Sequence, residues 1–234
     1  MQNLKFLTVT WRGDLTHFSL LRESLNLSRL SGVEHDVVVH SEDFKIFNKF
    51  QQPGLNLYTT HDLLDPVVER RRIRARHCRE LLGRRSEVIC GSLSRTLGWP
   101  NWVRYTGWHI QQICKLAGVA ASKIDVVVLL DSDLIITKYA DASDFLSLPP
   151  RRWSEFGIYK QFLRNHYSKD IVWRSTEKMG YIFDASSTEK LIEQFNYLLE
   201  HDRSHYITIH SQSSGRRLWG AEHYRDSVLK ALSN

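Results

Sequence analysis

Apolar positions in this chain fall into short strand-like runs separated by helical stripes. Residues 4–10 (LKFLTVT), 33–40 (VEHDVVVH) and the LNLY that follows Pro53-Gly54 read as three early strands. Between the first two, Phe18, Leu21, Leu25 and Leu27 recur near helical spacing, with Asp14 or Thr16 as the cap. A short helix is expected from the SEDF pattern at Ser41 through Phe50. Asp65-Pro66 starts a long helix that Gly83 ends. Residues 84–100 read as an irregular loop. Residues 106–116 read as a helix with Ile110, Ile113, Cys114 and Ala117 on one face and Gly118 as its stop. The most apolar stretch comes next: Ile124, Val126, Val127, Val128, Leu129 and Leu130, read as a strand buried on both faces.

That run halts at Asp131-Ser132-Asp133, and a second apolar run, Leu134-Ile135-Ile136, resumes at once. Carboxylates between two buried segments are costly without compensation. A divalent cation, a donor-bearing ligand, or a water-filled crevice at a strand's carboxyl end supplies it. The plainer reading is a turn whose Asp side chains cap local backbone donors. Beyond Leu148-Pro149-Pro150 the pattern loosens, and residues 153–173 are aromatic-rich and mixed. An amphipathic helix over 184–200, a strand over 206–210 and a closing helix over 220–232 complete the chain.

At 234 residues, 42% hydrophobic and 25% charged, the chain suits one α/β domain over 1–234 with a substantial core. No apolar run approaches membrane-spanning length. The opening MQNLKFLTVTWRGD has no signal-peptide pattern. Cys78, Cys90 and Cys114 lack metal-ligand spacing and are expected as buried thiols in a reducing cytoplasm. The net charge is +6, and much of the excess lies in Arg70, Arg71, Arg72, Arg74, Arg76, Arg79, Arg84 and Arg85. This is either a solvated helix face or a surface for anionic membrane or nucleotide phosphates. No nucleic-acid module surrounds it, and no nucleic-acid partner is expected.

The β-α-β opening, the mid-chain strand ending in Asp-x-Asp and the less regular second half resemble a GT-A type glycosyltransferase. FLTVTWRGDL, WPNWVRYTGWHIQQICKLAG and VVLLDSDLIIT resemble more closely an uncharacterised bacterial family linked to surface polysaccharide synthesis. The resemblance implies a GT-A-like, Rossmann-like, mainly parallel sheet flanked by helices. It implies a nucleotide-diphosphate sugar as donor, a glycan or lipid-linked acceptor, and Mn2+ or Mg2+. It makes Asp133 a metal ligand, Asp131 a ribose or metal partner, and His223 a candidate to complete the metal shell, with His210 as a second candidate. Glu222 becomes the candidate base.

The chemistry supports these residue types independently. A departing nucleoside diphosphate needs its charge neutralised, and a cation held by hard oxygen ligands does this. Thr10, Trp11 and Arg12 lie just past the first strand and are expected to share the Asp131 crevice. For Trp11, core packing is the alternative. On the preceding helix, Trp108, Gln111 or Gln112, and Lys115 are spaced to share a face. Lys115 or Arg104 is a candidate phosphate ligand, with a solvated helix face as the alternative for each of these residues. Glu222 and His223 are adjacent, so one of the two is expected to be structural.

Two other classes compete. A haloacid-dehalogenase type phosphohydrolase also ends a strand in Asp-x-Asp, but its motif comes early and carries Thr or Val where this chain has Ile135. A non-catalytic nucleotide-sugar-binding protein on the same scaffold differs only in lacking turnover. The expected location is cytoplasmic, either free or peripheral at the inner face of the membrane.

Overall fold

The computed structural model describes residues 4–83, 85–97, 107–124, 126–146, 178–182, 185–209 and 220–233. Leu4–Thr10 (β1) is central to a four-stranded sheet, and Leu15–Leu27 (α1) crosses from it to Glu34–Val39 (β2). Leu55–Thr59 (β3) extends the sheet beyond β2, and Val126–Leu129 (β4) pairs on the other side of β1. The order is β3-β2-β1-β4 and every pairing is parallel. The protein is therefore α/β, with a parallel sheet flanked by helices and compatible with a Rossmann-like arrangement.

The strand alternation sorts the core. Phe6, Val37 and Val39 meet Phe18, Leu21 and Leu25 of α1 on one face. Leu7, Val9 and Val38 meet Ile110 and Cys114 of Trp108–Ala121 (α6) on the other. Gly118 is interior to α6 rather than its stop, because the helix lies too close to β1 for a side chain there. A Cβ on Gly118 would sit 2.8 Å from a Leu7 methyl. Ile113, expected on the buried face, is exposed.

Two other expectations change. The valine run is half-buried rather than fully buried, and Leu129 is exposed. Among the described residues β4 pairs only with β1. Residues 84–100, expected as a loop, contain a helix over Arg85–Leu97. Phe44–Phe47 (α2) and Thr60–Leu63 (α3) are short. Pro66–Leu82 (α4) follows with Asp65 accepting from Val67 N–H and Gly83 closing it at φ +55°, as its caps predict. Arg85–Leu97 (α5) folds back along α4, so that Cys78 Sγ stands 3.9 Å from Cys90 Sγ. All three cysteines are free thiols, and Cys78 is only partly buried.

A second sheet has the order β5-β7-β6, formed by Leu134–Ile136 (β5), Met179–Ile182 (β6) and Tyr206–Ile209 (β7). Between β5 and β6 lies Ser143–Leu146 (α7), and between β6 and β7 lies Thr188–Glu200 (α8), capped by Ser187. Arg225–Ser233 (α9) follows a short 3-10 turn over Ala221–His223, so the closing helix starts later than residue 220. One core spans both sheets: Leu134, Ile136 and Tyr206 join Phe6 and α1. Ser24 Oγ of α1 accepts from Ile136 N–H at 3.1 Å. The aromatic-rich region 153–173, Asp184, His210 and Trp219 lie outside the described residues. No helix among the described residues is long and apolar enough to cross a membrane.

Asp144 anchors the start of α7 to the second sheet. It accepts from Lys178 Nζ at 2.6 Å, from the Tyr206 hydroxyl at 3.1 Å and from Asp141 N–H at 3.1 Å, and its Oδ2 lies 2.6 Å from His205 Nδ1. Burial pushes its pKa up, but these donors prevail and hold it at about 2, below the ordinary 3.8. A depressed carboxylate stabilises the fold above its ordinary pKa, and the contribution disappears as pH falls through the folded value. Asp144→Asn is expected to cost about 2 kcal/mol at neutral pH. The loss should shrink toward pH 2 in urea melts at stepped pH. A deficit unchanged between neutral and acid pH would exclude the linkage.

Candidate functional site

The carboxyl ends of β1, β2 and β4 open on one side of the parallel sheet, where ligands bind in folds of this kind. Thr10 ends β1 on the α1 face. It is buried, and its Oγ1 has no hydrogen-bond partner among the described residues. A buried hydroxyl left unpaired is costly, and a ligand or water at the crevice relieves it. Trp11 comes next and is 45% exposed, which sets aside core packing. Its indole lies over Gly13, where any Cβ would overlap the ring, and faces His40 at the end of β2 at 6.4 Å. The Arg12 N–H donates to Asp43 Oδ2 at 3.0 Å, and its guanidinium pairs with Glu80 of α4.

Asp131-Ser132-Asp133 forms the turn from β4 into β5, so the expected place of the motif holds. Asp131 projects outward, with its side chain 61% exposed, and receives Lys115 Nζ of α6 at 2.5 Å. Lys115 therefore reaches the crevice, paired with a carboxylate. One turn earlier on α6, Gln111 Nε2 donates to the Val9 carbonyl at 3.3 Å, while Gln112 is buried. Of the two glutamines it is thus Gln111 that touches β1. Arg104 and the Trp108 side chain lie outside the described residues.

Ser132 donates to Asp14 Oδ2 at 3.4 Å. Asp14, expected only as a helix cap, makes no side-chain capping bond at the start of α1. Burial raises its pKa; His17, Ser132 and Trp11 act against this, and the Asp131 charge adds to it. Sequence reading missed this role because an Asp at a helix start has a ready local explanation. The signal was its place three residues past Trp11 on the same crevice loop.

The C-terminal segment reaches the same end of α1. Glu222 is held below its usual pKa chiefly by its own backbone N–H, with a smaller contribution from the Thr16 side chain, against the opposing effect of burial. Its Oε1 lies 3.8 Å from His223 Nε2, and both side chains are more than half exposed. Tyr224 is buried, and its hydroxyl pKa is raised by burial and then by the Asp133 and Glu222 charges. Asp133 thus faces the C-terminal segment, while Asp131 faces α6. Among the described residues, no three His, Cys, Asp or Glu side chains converge as a metal cage. Asp131, Asp133 and His223 do not form one.

The arginine-rich α4 is only partly a surface. Arg72 and Arg76 are buried. Arg76 bonds Asp43 at 2.8 and 3.1 Å, and its Nη1 lies 3.0 Å from His40 Nδ1. Burial and the Arg72 and Arg76 charges depress the His40 pKa to about 4, so it is neutral at physiological pH. The sequence matches none of the protein-family models and none of the curated proteins with which it was compared.

Proposed function

We propose that this chain is a glycosyltransferase of GT-A-like architecture. It moves a sugar from a nucleotide-diphosphate donor to a glycan or lipid-linked acceptor. The observation that carries the reading is the convergence of Trp11, the unpaired Thr10 hydroxyl, Lys115 and Asp131 at the carboxyl edge of a parallel sheet. An exposed indole offers a base or sugar face a stacking surface. A buried hydroxyl without a partner suits a ribose or phosphate oxygen. The ammonium suits a diphosphate once released from Asp131.

Asp131 and Asp133 are hard oxygen donors and fit Mn2+ or Mg2+ in kind. A cation held through one or two carboxylates, with substrate phosphates and water as its other ligands, needs no protein cage. When bound, it neutralises the diphosphate leaving group. His223 stands beside Glu222 as a further candidate ligand. The protein's own residues bind the donor, exclude water beneath Trp11, and take the acceptor proton on a carboxylate. For that proton, Asp14 is the stronger candidate beside Glu222.

A nucleoside diphosphate with Mn2+ is expected to raise the melting temperature more than the sum of either alone. A ligand at a hundredfold excess over its dissociation constant adds about 2.7 kcal/mol. Asp133→Ala should abolish the synergy while leaving the unliganded melt near wild type. Full synergy in the variant would place the nucleotide elsewhere. Donor turnover with Mn2+ separates an enzyme from a binding protein on the same scaffold.

A further inference from the structure

We propose that the α4–α5 hairpin is a docking surface for anionic lipid bilayer, an inference that stands on its own features and not on the glycosyl-transfer reading. With Arg72 and Arg76 turned inward, α4 keeps a distinct outer stripe. Val67, Arg70, Arg74, His77 and Leu81 recur at i, i+3, i+7, i+10 and i+14, and all are exposed. Leu81 is 84% exposed, which no packing need of the fold explains. Around the turn at Gly83 stand Leu82, Val88 and Ile89, also exposed, and Val88 is 69% so. Arg79, Arg85 and Arg95 are exposed on the same hairpin.

An apolar tip flanked by arginines matches the layering of an anionic membrane surface. Leucine and valine enter the acyl boundary, and guanidinium groups meet phosphate and carboxylate headgroups. A second copy of this chain is the less suitable occupant. An isologous contact would set the same arginines against each other. The turn also makes the apolar residues protrude rather than line a groove.

The test is co-sedimentation of the whole chain with vesicles of phosphatidylcholine alone or mixed with phosphatidylserine. Binding is expected only to the mixed vesicles, and should weaken as salt rises. Arg70→Gln with Arg74→Gln should weaken it about thirtyfold, from roughly one kcal/mol per basic residue at the surface. Leu81→Asp with Val88→Asp should abolish it and leave the melting temperature near wild type, because both side chains are mostly exposed. Equal binding to both vesicle types, absence of binding to either, or wild-type binding by the two double variants would each overturn the proposal. So would concentration-dependent self-association that the Leu81→Asp/Val88→Asp variant loses without any vesicle binding, which would give this surface to a second copy.

Discussion

Arg72→Ala is expected to cost the fold about 3–5 kcal/mol, the usual penalty for stripping one partner from a buried ion pair. Arg72 is fully buried. Its Nε and Nη2 donate to Glu69 at 2.7 and 2.8 Å, and Nη2 also reaches Glu42. Glu69 is just as enclosed and accepts from Ser41 Oγ at 2.7 Å and Thr60 Oγ1 at 2.9 Å. Burial pushes the Glu69 pKa up, but Arg72 and the two hydroxyls bring it below the ordinary value. Without the guanidinium, burial wins and the carboxylate becomes the costly group. The sign follows from proton linkage. Wild-type Glu69 stabilises above its ordinary pKa and loses this as pH falls; in the variant the penalty itself fades as Glu69 takes up a proton. The deficit in urea midpoints should therefore shrink in acid. Arg72→Met with Glu69→Leu should recover much of the loss, since neither charge is then stranded. A deficit below about 1 kcal/mol would mean that the pair behaves as a surface bridge.

This network explains why an arginine-rich helix lies beside the crevice. Ser41 and Thr60 stand just past the carboxyl ends of β2 and β3. Arg76 holds Asp43, and Asp43 accepts the Arg12 N–H, which fixes the loop that presents Trp11. Charges on α4 thus set the shape of the crevice from behind. The chain of contacts runs from Arg76 through Asp43 to the Trp11 loop.

The legible part of this fold was the part written in local signals. β1, β2 and β3 carry alternating or continuous apolar runs, and α4 carries Asp65-Pro66 and Gly83 at its ends. α5 was hidden because Gly91, Ser92 and Ser94 resemble loop residues, while its apolar Val88, Ile89 and Leu97 face outward instead of marking a core face. The half-burial of β4 was equally hidden. Nothing in VVVLL distinguishes a strand buried on both faces from the half-buried one found here, because the apolar run is the same. In the site, Asp131, Asp133 and Lys115 were legible from the motif and helical spacing. Asp14 was not, since only folding brings it against Ser132, 118 residues away in sequence. The inward turn of Arg76 was invisible for the same reason, since its partner Asp43 comes from the β2–β3 connection; Arg72 has Glu69 one turn earlier on its own helix, but Glu42 reaches it only through folding.

On the proposed transfer reaction with Asp14 as its base, Asp14→Asn is expected to lower sugar transfer by about 10²–10⁴-fold, the usual worth of a positioned general base. Two carboxylates compete for that role. Glu222 is exposed, and its own backbone N–H, with Thr16, depresses its pKa, which weakens it as a base. Asp14 is part-buried beside Ser132, and burial raises its pKa above the ordinary value despite the opposing effects of His17, Ser132 and Trp11. The stability linkage separates chemistry from structure. A carboxyl whose folded pKa is raised costs the native state stability as pH rises through the interval from the ordinary value to the raised one. Asparagine removes that cost, so Asp14→Asn should be at least as stable as wild type at neutral pH while transferring poorly. The acid limb of the wild-type pH–rate profile should also disappear in the residual activity of the variant. Glu222→Gln should stay within about tenfold of wild type, as expected of a group that only orders the turn before α9. A reversed pattern, with Glu222→Gln losing transfer and Asp14→Asn keeping it, would return the proton to Glu222. Unfolding of Asp14→Asn at neutral pH would make Asp14 a structural tie between α1 and the Asp131–Asp133 turn.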